Sequence, residues 1–289
     1  MTSPTPDPHA LTEPLVDLVR RAGEAILAVY DDPATHEETT KADGSPLTRA
    51  DLAAHAVLDA GLRPLAPGVP VLSEEGDAAE ADDDAAARTR TGWTAAWLVD
   101  PLDGTKEFLA RNGEFTVNVA LTRVADGVAD PVLGAVHVPV TGTTYLGVVG
   151  AGAWRIDAGG RTPIATQAPD DVARVVASRS HRTPATDAFV RGLDALYPHV
   201  ETTTSGSALK ICRVAEGAAH YYPRVGPTMR WDTAAADAVL RAAGGTLWRY
   251  GTRTPLTYDL RALVNPPFLA VHGEAARLPA AYGDAEVAR

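Results

Sequence analysis

Asp100 and Asp103 stand three residues apart in the run Trp97-Leu98-Val99-Asp100-Pro101-Leu102-Asp103-Gly104-Thr105. The apolar stretch 95–99 has the composition of a strand. Pro101 and Gly104 are read as ending it in a tight turn, because proline cannot donate to a ladder and glycine tolerates positive φ. Two carboxylates converging on such a turn repel each other unless a cation lies between them. Hard oxygen donors suit Mg²⁺ or Ca²⁺, and Mg²⁺ held by few carboxylates works beside a substrate phosphate.

Three further acids stand at the ends or starts of expected elements. Glu74 follows Val71-Leu72-Ser73 as Asp100 follows Leu98-Val99, so neighbouring strands would bring both to one sheet edge. Asp232, in Arg230-Trp231-Asp232-Thr233-Ala234-Ala235, opens a helix whose positive end favours anions; capping that helix is the plainer role. Asp51 comes three residues after Thr48, which also fits a capping box. Thr105 places a hydroxyl next to the Asp pair, or caps a short helix starting near Lys106. Glu75 is read as a solvated neighbour of Glu74 rather than a ligand. Together these groups supply the oxygens for two or three divalent ions.

The elements that must position these groups follow from the periodicity. Residues 1–10, rich in Pro, Thr and Asp, are expected to be a disordered leader. Apolar residues at 11, 15, 18, 19, 22, 26 and 27 predict a helix over 11–30, and a second helix is expected over 49–62. A short strand is expected over 69–72. The segment 77–92, dense in Ala, Asp and Glu, is expected to be a solvated loop without a role. Strands over 95–99, 115–124, 132–138 and 143–149 predict a meander in one sheet. After residue 165 shorter strands (172–177, 200–204, 218–222, 246–250) alternate with helices (184–196, 207–216, 233–243). The pattern is an α+β half, 11–165, followed by an α/β half, 166–289.

Composition narrows the function. Of 289 residues, 45% are apolar and 22% charged, an ordinary globular balance. A net charge of −11 argues against nucleic-acid and membrane-surface partners, but not against an anionic small molecule whose site is made positive by a metal. The single cysteine, Cys212, fits a reducing compartment. No basic leader followed by an apolar core and no apolar run of membrane length is seen, so a soluble, cytoplasmic protein is expected. Of the 26 Lys and Arg residues only Lys41, Lys106 and Lys210 are lysine. Lysine in such an arginine-rich chain points to positions suited to a compact point charge rather than a planar fork.

Asp-Pro-Leu-Asp-Gly-Thr (100–105) together with Trp-Asp-Thr-Ala-Ala (231–235) resembles the two signatures of the inositol monophosphatase superfamily. The segments 41–51, 69–75, 97–108, 111–118, 178–181 and 207–210 are similar to its CysQ-type 3′(2′),5′-bisphosphate nucleotidases, and the likeness spans roughly residues 12–270. The resemblance implies an α/β (α+β) fold, a layered αβαβα sandwich of the inositol monophosphatase / fructose-1,6-bisphosphatase type. It implies a lithium-sensitive, Mg²⁺-dependent phosphatase with two or three Mg²⁺ per site, held by Glu74, Asp100, Asp103, Asp232 and the Leu102 carbonyl. Asp51 and Thr105 match the pair that polarises the attacking water. Gly104, Ser178, His181, Gly206, Ser207, Lys210 and Arg224 match the substrate-holding positions, Gly206 where the chain passes close to the ligand. The implied reaction is removal of the 3′-phosphate of adenosine 3′,5′-bisphosphate, a by-product of sulfate assimilation, to give AMP. The alternative is a broader inositol or sugar phosphatase. A non-catalytic metal-binding or regulatory protein on the same scaffold would be expected to have lost Asp51, Thr105 or a ligand, and all are present.

Overall fold

The computed structural model describes residues 6–32, 38–40, 46–76, 84–178, 183–273 and 276–282. The heptad-like spacing of the first segment makes α1 (Thr12–Tyr30), which buries Leu15, Leu18, Val19, Ala22 and Ile26 along one stripe. A short antiparallel pair, β1 (Glu38–Thr40) and β2 (Pro46–Thr48), leads into α2 (Arg49–Leu65). The large sheet then runs in chain order through β3 (Val71–Ser73), β4 (Ala95–Asp103), β5 (Thr116–Ala125), β6 (Val128–Val138), β7 (Thr143–Val148), β8 (Gly152–Asp157) and β9 (Gly160–Ile164). Only β3–β4 is parallel along this path; the rest is an antiparallel meander. Two short helices interrupt it, α3 (Asp84–Thr91) and α4 (Thr105–Leu109).

The second half supplies β10 (Val172–Ser178), α5 (Pro184–Leu193), β11 (His199–Ser205), α6 (Leu209–Ala215), β12 (Tyr221–Arg224), α7 (Arg230–Ala242), β13 (Thr246–Arg249), β14 (Tyr258–Asp259) and β15 (Phe268–Val271). Five of these strands form a smaller sheet in the order β11-β10-β12-β15-β13, whereas β14 returns to pair with β6.

Strand alternation sorts the side chains into layers. On β4, Trp97 and Val99 join a core with α1 and α2, while Ala96 and Leu98 join a core with α6 and α7. On β15, Phe268 and Ala270 meet that same middle core, while Leu269 and Val271 face Phe189 and Leu193 of α5. The result is the expected sandwich: helices, large sheet, helices, small sheet, helix. The approach of α7 to the large sheet depends on Gly134 and Gly147, because a Cβ at either would collide with the α7 backbone at Ala235 or Val239.

Four local expectations are corrected. Residues 84–91 are helical rather than loop: an Ala-rich, Arg-bearing stretch has good helix propensity, and buried Arg90 donates through Nε to the Leu260 carbonyl at 2.7 Å. The remainder of that acidic segment, 77–83, lies outside the described residues. Residues 6–10, expected to be disordered, make local hydrogen bonds: His9 N–H donates to Asp7 Oδ1 at 3.0 Å and Leu11 N–H to the Pro8 carbonyl at 3.3 Å. Pro101 does not end β4, which continues to Asp103 through an irregularity described below. Finally, β8 and β9 extend the meander where no strand was expected; exposed residues on this edge hide the alternation.

Asp237 on α7 is buried in the middle core. Burial lifts its carboxyl to about 7, with Arg241 opposing part of the rise. A folded-state value above the unfolded one near 4 means that its contribution to stability is full below pH ~4 and is lost as pH rises through ~7. Asp237→Asn is therefore expected to melt progressively higher, relative to wild type, as pH rises from about 4 to 7. Melting temperatures of both proteins across that range check this; a constant difference would sink it.

Candidate metal and phosphate site

The parallel pairing of β3 with β4 puts Ser73 opposite Val99, and Glu74 N–H donates to the Val99 carbonyl at 3.0 Å. Glu74 and Asp100 therefore leave the same sheet edge side by side. In a regular strand Asp100 and Asp103, three residues apart, would point to opposite faces. The ladder avoids this. Asp100 pairs with Asn118 and Asp103 with Thr116, three steps on β4 against two on β5. One extra residue in the bulge, within Asp-Pro-Leu-Asp, returns Asp103 to the side of Asp100.

Asp232 arrives from the other half of the chain as the third residue of α7, its Oδ2 accepting the Met229 N–H at 2.8 Å. The helix end carrying it is clamped. Asn265 Nδ2 donates to the Met229 carbonyl at 2.6 Å and to Thr233 Oγ1 at 2.9 Å, and buried Arg230 donates to Asn265 Oδ1 at 2.8 Å. Carboxylate oxygens of Glu74, Asp100 and Asp232 lie within 4.8 Å of one another. Asp103 stands just outside that trio.

Burial and mutual repulsion set the electrostatics of this cluster. Burial, then Glu74, Asp103, Asp232 and Asp51, push the Asp100 carboxyl well above the ordinary range. Asp232 is raised for the same reasons, burial first and then Asp103 and Glu74. Asp103 rises by burial to about 6, with Lys210, the Ala208 N–H and Asn118 holding it down. Three close, largely buried carboxylates are costly as anions and favourable as ligands of a hard divalent cation. An all-oxygen donor set of this kind fits a hard divalent cation such as Mg²⁺.

Asp51, third in α2, is buried and accepts the Thr48 N–H at 2.8 Å and the Thr48 hydroxyl at 2.6 Å through Oδ2. Capping and proximity to the acidic cluster thus coexist, as Asp51 is close enough to raise Asp100. Thr105 begins α4, immediately after Gly104, whose φ of +94° turns the chain out of β4. Leu102 is buried in the bulge and donates its N–H to Asp100 Oδ1 at 3.0 Å.

A cavity of about 290 Å³ opens beside these groups, lined among others by Asp103, Gly104, Thr105, Ser178, Ser207, Lys210, Arg224 and Asp232. Lys210 is only 6% exposed and lies over the Tyr222 ring at 5.5 Å. Burial lowers its ammonium to about 8, against the pull of Asp103. Arg224 Nη2 donates to the Pro227 carbonyl at 2.9 Å, while its buried Nε has no hydrogen-bond partner among the described residues. Ser207 adopts φ +44° and gives its hydroxyl to the Glu114 carbonyl at 3.0 Å. At Gly206 the close approach is to the protein itself: a Cβ there would come within 2.5 Å of the Glu114 carbonyl and 2.7 Å of Glu107 Cγ. His181 and Lys41 lie outside the described residues.

Several residues of the site were not expected. Asn118, Tyr222, Thr228, Thr233 and the Asn265–Arg230 clamp all touch the carboxylates, Lys210 or the cavity wall. The readable signal was weak but present for Asn118, a polar side chain inside the apolar strand Thr-Val-Asn-Val-Ala-Leu.

Residues 7–280 match the sequence pattern of the inositol monophosphatase family. The chain is 45% identical over 259 residues to the 3′(2′),5′-bisphosphate nucleotidase CysQ of Salmonella typhimurium, covering 89% of this chain and 98% of that protein. The protein of the same name from Escherichia coli strain K12 matches at the same identity and coverage. Among solved structures, CysQ from Bacteroides thetaiotaomicron, a bacterial member of the inositol monophosphatase family, superposes with a TM-score of 0.77 at 42% identity, covering 90% of this chain and 96% of that one. Inositol monophosphatase from Anabaena shares the fold, with a TM-score of 0.66 at 23% identity and 92% coverage of both chains.

Proposed function

Because the chain belongs to the inositol monophosphatase family, we propose that it is a Mg²⁺-dependent phosphatase removing the 3′-phosphate of adenosine 3′,5′-bisphosphate to leave AMP. The observation that carries this reading is one cavity whose wall combines two carboxylates of the acidic cluster, Asp103 and Asp232, with two cations, Lys210 and Arg224. A substrate with one phosphate to react and another to be held uses both kinds of group; an inositol monophosphate uses only the first. The names and high identity of the CysQ relatives support the same choice.

Glu74, Asp100, Asp103, Asp232 and the Leu102 carbonyl would hold two or three Mg²⁺, which would supply charge neutralisation for the phosphoryl oxygens and lower the pKa of water within the site. The chain's own residues do the positioning. Thr105 accepts a hydrogen bond from the attacking water and hands one on to Asp51, the general-base pair. Phosphoryl transfer needs the attacking and leaving oxygens in line, so placement and preorganised charge supply most of the rate. Lys210 and Arg224 grip the second phosphate by charge-assisted hydrogen bonds, with Gly104, Ser178 and Ser207 lining the same cavity around the nucleotide. In this division 11–165 is the metal-binding part and 166–289 the substrate-binding part, with Asp232 crossing over to complete the metal shell.

No nucleic-acid or membrane partner enters this reading, and the setting is cytoplasmic; among the described residues no helix is long and apolar enough to cross a membrane. Phosphate release from a panel of adenosine 3′,5′-bisphosphate, its 2′,5′ isomer and inositol 1-phosphate tests the assignment. The bisphosphates are expected to give the larger kcat/KM, with activity abolished by chelator and restored by Mg²⁺. A higher kcat/KM for inositol 1-phosphate would overturn the nucleotide assignment.

A further inference from the structure

Two buried polar residues of β5 have no part in the chemistry above. Thr116 and Asn118 are wholly buried and, two apart on a strand, project from one face. They stand opposite Asp103 and Asp100 on either side of the bulge. The chemistry of these groups fixes the direction of the bonds joining them. A carboxylate only accepts, so Asn118 turns its amide nitrogen to Asp103, Nδ2 donating to Oδ2 at 3.2 Å. Asn118 Oδ1 is then left to accept, and the Thr116 hydroxyl donates to it at 2.9 Å. The same Asp103 Oδ2 takes the Ala208 N–H at 2.6 Å. One oxygen of the carboxylate is held between two N–H donors, and among the described residues no protein donor reaches the other.

The terminal torsion of an aspartate is soft and broad. A bulged strand end alone does not fix where the carboxylate plane points. We propose that Asn118, itself oriented by Thr116, is a positioning residue for the metal centre: it locks the Asp103 carboxylate with one oxygen turned toward the cation. The proposal rests on Asp103 being a metal ligand and is independent of which phosphate ester is cut. Partners that orient a metal's ligands are worth about 10- to 100-fold in affinity or activity when removed.

Calorimetric titration of the folded protein with Mg²⁺ alone, without substrate, tests this directly. Asn118→Asp keeps the size of the side chain but sets a carboxylate oxygen where the Nδ2 donor was. Its Mg²⁺ affinity is expected to fall by about 10- to 100-fold. The half-saturating Mg²⁺ in a phosphatase assay should move by the same factor, while KM for the nucleotide at saturating Mg²⁺ stays put. Thr116→Val removes only the hydroxyl and should weaken Mg²⁺ in the same direction by a smaller factor, and Thr116→Ser should restore wild-type affinity. If Asn118→Asp does not fold, the Thr116 pair decides by itself. Wild-type Mg²⁺ affinity in Thr116→Val or in folded Asn118→Asp overturns the proposal. So does a Thr116→Ser protein as weak as Thr116→Val, which would mean that packing rather than the hydroxyl matters. Failure of the nucleotide assignment looks different: normal Mg²⁺ binding with another phosphate ester preferred.

Discussion

Asp100→Asn is expected to lower kcat/KM for the bisphosphate by more than a factor of about 10², the scale of losing one preorganised electrostatic group. The same substitution should raise the melting temperature of the metal-free protein. Asp100 is buried among Glu74, Asp103, Asp232 and Asp51, all of which disfavour its charge. An amide of the same shape removes that repulsion and keeps an oxygen to accept the Leu102 N–H. Addition of Mg²⁺ should then stabilise the variant less than wild type, because binding to the folded state is linked to its stability. Opposite movement of activity and metal-free melting temperature is the signature of a site built to bind a cation. An Asp100→Asn protein with wild-type turnover would remove the metal cluster from the mechanism. A variant that instead melted lower without metal would show that Asp100 is a structural residue first.

Lys210→Met should separate the two phosphates. Methionine replaces the buried stem but not the ammonium, so the contact of Nζ with the Tyr222 ring is lost together with the charge. A charge-assisted hydrogen bond is worth about 1.5–3 kcal/mol, which converts to roughly 10- to 10²-fold in binding. The loss is expected in kcat/KM for adenosine 3′,5′-bisphosphate and to be much smaller for a substrate with one phosphate. Lys210 also lies close enough to Asp103 to hold its carboxyl down, so a small loss common to all substrates is expected as well. Equal, large losses for mono- and bisphosphates would place Lys210 with the metal shell and remove the second-phosphate pocket.

The acidic residues were legible because each sits at a break in periodicity: Glu74 after a short apolar run, Asp100 after another, Asp232 at the head of an Ala-rich helix. The order of helices and strands along the chain was legible for the same reason, since alternation and helical spacing are local properties; their layering was implied only by the family resemblance. Less readable was anything defined by an absence of side chain or by a neighbour far along the chain. Gly134 and Gly147 look like ordinary strand glycines, yet they let α7 lie flush on the large sheet. Asn265 resembles a loop residue, yet it clamps the helix end that presents Asp232. The charge of the segment before β4 concealed α3, whose Arg90 is buried against Leu260.

Residue chemistry was therefore settled by the chain: which carboxylates, hydroxyls and lysines are available, and in which elements they ride. Whether they meet was settled only in three dimensions. A single inserted residue in β4 decides that Asp100 and Asp103 share a face, and helix-to-sheet contact decides that Asp232 joins them. The physical reason is that side-chain direction in a strand reverses at every residue. A register defect one residue long, set by pairing with β5, outweighs the local pattern from which a turn was read.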